Sequence, residues 1–182
     1  MNCFRLVLLS ILGLLLGWMP LRAQEVRFGA PFDFPLYLSG NFGELRSNHF
    51  HGGLDFKTQG VVGKPLLAIA DGYISKVTVT PGGYGNALYL THDNGYTSVH
   101  GHLDRFLSEI AELVRKKQYA EQAFAVTLEF GPDEFRFRQG EVVAYAGNTG
   151  YSFGPHLHME IRKTATNEPI DPLQFYKDKI TD

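Results

Sequence analysis

Short apolar runs, broken every few positions by glycine, proline, asparagine or aspartate, fill most of this chain. Pro65 to Ala70 is a small apolar run that ends at the turn pair Asp71-Gly72. Tyr73 to Val79 is rich in β-branched and aromatic residues and stops at Pro81-Gly82-Gly83. Ala87 to Thr91 and Tyr96 to His102 flank Asp93-Asn94-Gly95, a strong hairpin signal. Glu134 to Phe137, Val142 to Ala146 and His156 to Ile161 complete a set of short strands. Strands do not alternate with helices, so a doubly wound parallel sheet is disfavoured. The pattern predicts a mainly β fold, an antiparallel sandwich or barrel-like core. One segment departs from it. Phe106, Ile110, Leu113, Val114 and Lys117 fall on helical spacing, which predicts one helix at about Ser108 to Gln118, inserted between strands and packed on the sheet edge.

The first residues follow a different rule. Leu6 to Leu16 is an apolar run of eleven residues, too short to span a bilayer comfortably. Arg5 and Arg22 flank it, and no acidic residue lies within residues 1–23. Leu21 and Ala23 suit the −3 and −1 positions of a signal peptidase site. Residues 1–23 therefore read as a signal peptide, with an uncleaved anchor as the alternative. Residues 24–182 read as one domain, with no repeat or linker inside it.

Composition then narrows the chemistry. The 182 residues are 44% hydrophobic and 20% charged, which is globular. Seventeen basic against 19 acidic residues give net −2, and no basic stripe supports a nucleic-acid partner. The one cysteine, Cys3, precedes the apolar run. Disulfides within the chain and multi-cysteine zinc knuckles are excluded. A core, a metal, or both must hold the exported domain.

The seven histidines are the remaining candidates, and six fall in three clusters. The first is His49-Phe50-His51-Gly52-Gly53-Leu54-Asp55. On a straight strand, at about 3.3 Å per residue, His51 and Asp55 would be about 13 Å apart. Gly52 and Gly53 could take positive φ and fold the chain into a clip that brings them together. A glycine turn with unrelated polar residues is the alternative. The second cluster, His156-Leu157-His158, places both imidazoles on one strand face, with Leu157 pointing the other way. The third, His100-Gly101-His102, reads the same way, with Gly101 leaving room for a ligand or a backbone. His92 reads as an ordinary surface or cross-strand histidine. Together the clusters suit a hydrolytic zinc centre, since three imidazole or carboxylate ligands leave a fourth position for water.

In these motifs the sequence resembles the LytM/lysostaphin-type zinc endopeptidases. The carrying strings are His51-Gly52-Gly53-Leu54-Asp55, His100-Gly101-His102-Leu103 and Gly154-Pro155-His156-Leu157-His158-Met159-Glu160-Ile161. Ser39 to Gly43 with Arg46, Ala68 to Gly72, Gly83-Tyr84-Gly85-Asn86 and Gly147-Asn148-Thr149-Gly150 add to them, so the resemblance runs from about Leu38 to Phe175. It implies a mainly antiparallel β fold with a groove over the sheet. It implies zinc held by His51, Asp55 and His158, with His102 and His156 as catalytic histidines. His49 competes with His51 for the first ligand, but the residue four positions after His49 is Gly53, not an acid. The implied substrate is a stem or bridge peptide of peptidoglycan, cut by a monomer in the periplasm, the cell envelope or outside the cell. Wall peptides are extended, which makes Tyr84, Tyr151 and Phe153 candidate groove walls. Three positions depart from the family pattern: His100 where an aromatic such as tyrosine is usual, Met159 where phenylalanine is common, and Phe153 where a small residue often stands. The alternative function is a catalytically silent regulator of other wall hydrolases.

Overall fold

Turn residues divide the chain into short strands that pair almost wholly antiparallel, and a computed structural model describes them for residues 26–181. The predicted signal segment lies outside the described residues. The first strands are β1 (Leu38–Gly40), β2 (Leu54–Lys57), β3 (Lys64–Leu67) and β4 (Gly72–Val79). The hairpin at Asp93-Asn94-Gly95 joins β5 (Asn86–His92) to β6 (Tyr96–Gly101). Then come β7 (Leu103–Phe106), helix α1 (Ser108–Glu121), β8 (Val126–Glu129), β9 (Arg136–Phe137) and β10 (Val142–Ala146). The chain closes with β11 (His156–Lys163), β12 (Pro169–Ile170) and a short helix α2 (Leu173–Tyr176). The larger sheet runs β1-β2-β11-β6-β5-β4-β8, with β12 beside β11 and β9 beside β4. A second sheet has the order β3-β10-β7. The fold is mainly β, as the turn spacing predicts. Among the described residues, no helix is long and apolar enough to cross a membrane.

Register decides what each face carries. In β11, Leu157, Met159 and Ile161 are fully buried and alternate with His156, His158 and Glu160. Leu54, Met159, His100 and Leu88 form one cross-strand row, so they point to one side. That side is the core, with Phe56, Leu90, Leu103 and Tyr176. Asp55, His158 and Gly101 form the next row and point to the opposite face. A shift of one residue in β11 would exchange the two sets.

Helix α1 uses Ile110 and Val114 as its buried positions and packs on β7 and β8, near the sheet edge. It outruns the predicted end at Gln118 by three residues, helped by the Lys117–Glu121 ion pair, and stops at Gln122 in a left-handed conformation. Phe106, read as helical, is instead the last residue of β7 and is buried in the core.

His92 and His100 are among the buried histidines. His92 is buried, with Nε2 against Ser98 Oγ at 2.7 Å and its ring against Phe28. It is a cross-strand histidine and not a surface one. His100 is fully buried, and neither ring nitrogen makes a well-formed hydrogen bond. Burial pushes the His100 pKa down to about 3 and that of His92 down to about 4. Both are therefore neutral in the folded chain at pH values where the unfolded chain takes up a proton. Stability is complete above about pH 6.5 and falls as the pH drops towards these values, by about 1.4 kcal/mol per unit for each histidine. His100→Phe is expected to flatten this acid limb while keeping the melting temperature at pH 7. Melting curves at pH 7 and pH 5 check it, and an unchanged pH 5 deficit would exclude His100 as a source.

Candidate metal centre

Three Lewis-base atoms converge where β2 meets β11. His51 Nε2 lies 2.9 Å from Asp55 Oδ1, and His158 Nδ1 lies 3.0 Å from the same oxygen. The two nitrogens are 2.9 Å apart. All three residues are buried. Donors around a tetrahedral zinc with bonds of about 2 Å sit about 3.3 Å apart, so the trio is close to that spacing. Among the described residues, His51, Asp55 and His158 form the one group of this kind that could hold a metal ion. His49 is not in it; its Nδ1 faces Asn48 Oδ1 at 2.6 Å.

The clip forms differently from the expectation. Gly52 and Gly53 are not among the residues with positive φ. They matter because they lack a side chain: a Cβ on Gly53 would lie 2.2 Å from the Met159 carbonyl oxygen, and one on Gly52 would lie 3.0 Å from Glu160 Oε1. The segment can therefore press against β11. His51 precedes β2 while Asp55 lies within it, which removes the straight-strand separation.

Each of the three is anchored on its far side. His51 Nδ1 donates to the Asn41 carbonyl at 2.7 Å, leaving Nε2 for the centre. Arg46 Nη2 donates to Asp55 Oδ2 at 2.8 Å. Gly40 makes this possible, since a Cβ there would lie 2.4 Å from Asp55 Oδ2 and 2.6 Å from Arg46 Nη2. His158 Nε2 donates to Glu160 Oε1 at 3.0 Å. Burial alone would raise the Asp55 pKa, but the His158 and His51 rings beside it hold it far below the usual carboxylate range. Burial also opposes charge on His158, yet Asp55 and Glu160 on either side raise its pKa. Glu160 is brought down to about 2, against the effect of burial, by His158, Tyr84 and Arg162.

Two more imidazoles flank the trio. His102 does not alternate with His100 on one strand face, as expected from the sequence. β6 ends at Gly101, and His102 takes φ of 59°, a left-handed conformation that turns its ring away from the core row. Its Nδ1 donates to the Thr149 carbonyl at 2.8 Å, and its backbone N–H donates to the Tyr84 carbonyl at 2.7 Å. Burial pushes the His102 pKa down to about 4, although the Thr149 carbonyl works against this. His156 Nδ1 donates to the Gly154 carbonyl at 2.8 Å, and its Nε2 lies 3.7 Å from Asp55 Oδ1. The His102 and His156 ring centres are 4.7 Å apart.

The motif loops have a part in this. Thr149 Oγ1 donates to the Leu103 carbonyl and accepts from Asn86 N–H, both at 2.9 Å. Gly85 and Gly150 have positive φ and approach so closely that a Cβ on either would collide with the other loop. Gly101 leaves room for a side chain: the Tyr84 ring lies 3.1 Å from where its Cβ would be. Tyr84 is half-buried, stacks on His158 and bonds Glu160 through its hydroxyl. Tyr151 and Phe153 are exposed on the loop before β11. Arg46, Thr149, Glu160 and Arg162 were not picked out from the sequence as parts of the site. For Glu160 the signal was there: its period-two spacing after His156 and His158 puts it on their face.

Known proteins are similar to this chain in sequence and in fold. A model of peptidase family M23 matches residues 49–122. An uncharacterized metalloprotease of Haemophilus influenzae is 33% identical over 82% of this chain and 25% of its own. The DD-carboxypeptidase/endopeptidase Mpg of Neisseria meningitidis is 31% identical over 81% of this chain and 26% of its own. This chain thus spans about a quarter of the length of these curated relatives. The catalytic domain of lysostaphin from Staphylococcus simulans superposes with a TM-score of 0.58 at 23% identity, covering 78% of this chain and 92% of that domain. The chain carries a peptidase M23 domain of the LytM/lysostaphin type.

Proposed function

We propose that the chain is a zinc-dependent endopeptidase that hydrolyses peptide cross-links or bridge peptides of peptidoglycan. The observation that carries this reading is the convergence of His51 Nε2, Asp55 Oδ1 and His158 Nδ1 beside two further imidazoles. Two imidazoles and one carboxylate suit zinc, and a three-ligand set is the catalytic type. Bound there, zinc would supply a Lewis acid for the scissile carbonyl and lower the pKa of its water towards about 7. His102 offers Nε2 as a proton acceptor, because its Nδ1–H is committed to Thr149 and burial keeps the ring neutral at pH 7. His156 offers a second Nε2, because its Nδ1–H is committed to the Gly154 carbonyl. Between them, these two atoms take the proton of the attacking water and return one to the leaving amine. A peptidoglycan substrate is supported by the similarity to the peptidoglycan DD-endopeptidase ShyB of Vibrio cholerae, 30% identical over 68% of this chain and 22% of its own. A signal peptide at residues 1–23 and a place in the cell envelope fit that substrate, with a monomer as the working form.

Elemental analysis of the purified chain, combined with mass spectrometry of a sacculus digest, tests the proposal. Zinc in stoichiometric amount and newly cut peptides are expected. A zinc-loaded chain that releases no peptide from any sacculus would replace this reading with the regulator. Tyr151 and Phe153 belong to the proposal as groove walls. Phe153→Gly is expected to reorder the preference among peptide substrates by several-fold while leaving zinc content unchanged. An identical ranking removes Phe153 from the groove.

A further inference from the structure

We infer that Lys57 is a specificity-determining residue that receives a carboxylate of the substrate beside the metal centre. This rests on the function proposed above and deepens it, because it names the kind of peptide that is cut. Lys57 is the last residue of β2, two positions after Asp55. Register pairs it with His156, just as it pairs Asp55 with His158. Paired residues on neighbouring antiparallel strands point to one side, with Cβ atoms about 5 Å apart. The Lys57 side chain therefore leaves the sheet on the face that carries the imidazoles. Its backbone N–H donates to the Tyr37 carbonyl at 2.8 Å, which holds the end of β2 in place.

Charge sets Lys57 apart from its neighbours. On this face β2 and β11 carry Asp55, Lys57, His156, His158, Glu160 and Arg162. Each acid has a cation of its own: Arg46 for Asp55 and Arg162 for Glu160. Lys57 is exposed, and among the described residues its ammonium group has no ion pair and no hydrogen bond. A divalent ion held beside Asp55 would add to this positive charge, so the face suits an anionic ligand. Distance then selects the anion. Two residues of a strand span about 7 Å, and the flexible four-carbon stem of lysine covers much of that span. The carboxylate must lie within one residue of the scissile bond. A cross-link to the amine of a diamino acid meets this condition when the carbon bearing the leaving nitrogen also carries a free carboxylate. A glycine bridge has no such group, because its carboxyls are all amides.

Two synthetic cross-linked peptides test this, identical except that the carboxylate is free in one and a primary amide in the other. The purified, zinc-loaded chain is expected to cut the free acid with about tenfold higher kcat/KM, the worth of one charge-assisted bond. Most of the difference should lie in KM, and it should shrink with added salt, because the pair forms near the surface. Lys57→Met keeps an unbranched stem and removes the charge. In that variant the preference should vanish while zinc content stays at the wild-type level, and Lys57→Arg should restore most of it. A wild type that cuts both peptides equally, or that cuts only a glycine-bridged peptide, overturns the inference and leaves the endopeptidase reading standing. So does a Lys57→Met variant that keeps the preference. A wild type that cuts none of these peptides overturns the endopeptidase reading, and the inference with it.

Discussion

Replacing Asp55 by alanine is expected to abolish metal binding and peptide hydrolysis together. Oδ1 of Asp55 is the atom the other groups share: His51 Nε2 at 2.9 Å, His158 Nδ1 at 3.0 Å and His156 Nε2 at 3.7 Å. Without it, two imidazoles face each other with no anion between them. Arg46, now held 2.8 Å from Oδ2, would keep its positive charge beside the vacated position and oppose a cation. His51→Ala and His158→Ala should do the same by removing one ligand each, since three protein ligands leave none to spare. Elemental analysis of the folded variants should fall from stoichiometric zinc to almost none, with sacculus digestion lost in parallel. Full zinc occupancy in Asp55→Ala would exclude it from the ligand set.

The second large effect separates turnover from metal. Loss of His102 or His156 is expected to leave zinc in place and to lower the hydrolysis rate by about 10²–10⁴-fold. For His102, asparagine is a better probe than alanine. The residue has φ of 59°, and asparagine tolerates that conformation better than most residues, so the backbone keeps its course. His156 starts a regular strand, and alanine serves there. Zinc analysis and initial rates on one defined peptide substrate check both variants. If His102→Asn lost its zinc while His51→Ala retained it, the two roles would have to be exchanged.

The pattern of residues carried the outline because the outline depends on local periodicity. Turn pairs such as Asp93-Asn94-Gly95 mark hairpins, and alternation along His156 to Ile161 separates a core face from a polar face. What could not be read depends on neighbours distant in the chain. Gly52 and Gly53 have a flexible look in isolation. Their use is to let residues 51–55 lie against Met159 and Glu160, more than a hundred positions away. His100 and His102 look equivalent in the string, yet one faces Leu54, Met159 and Leu88 while the other turns out at a strand end. Tyr84 reads in the string as a candidate groove wall, and only the fold shows that Gly101 gives its ring a seat against His158.

The end of β6 has a mechanical meaning. β2 and β11, which carry Asp55 and His158, are neighbours in the larger sheet. His102 stands where the chain leaves that sheet for β7 in the smaller one, and its ring is tied to Thr149, in the loop that follows β10 of the smaller sheet. The atoms proposed to hold the ion thus have one foundation, and the ring proposed to handle protons spans the seam between two. Strain that lets the sheets slide would misalign the ring before it loosened the ligands. Such a chain would keep its metal and stop working, so heat or a mild denaturant should silence turnover earlier than it empties the centre.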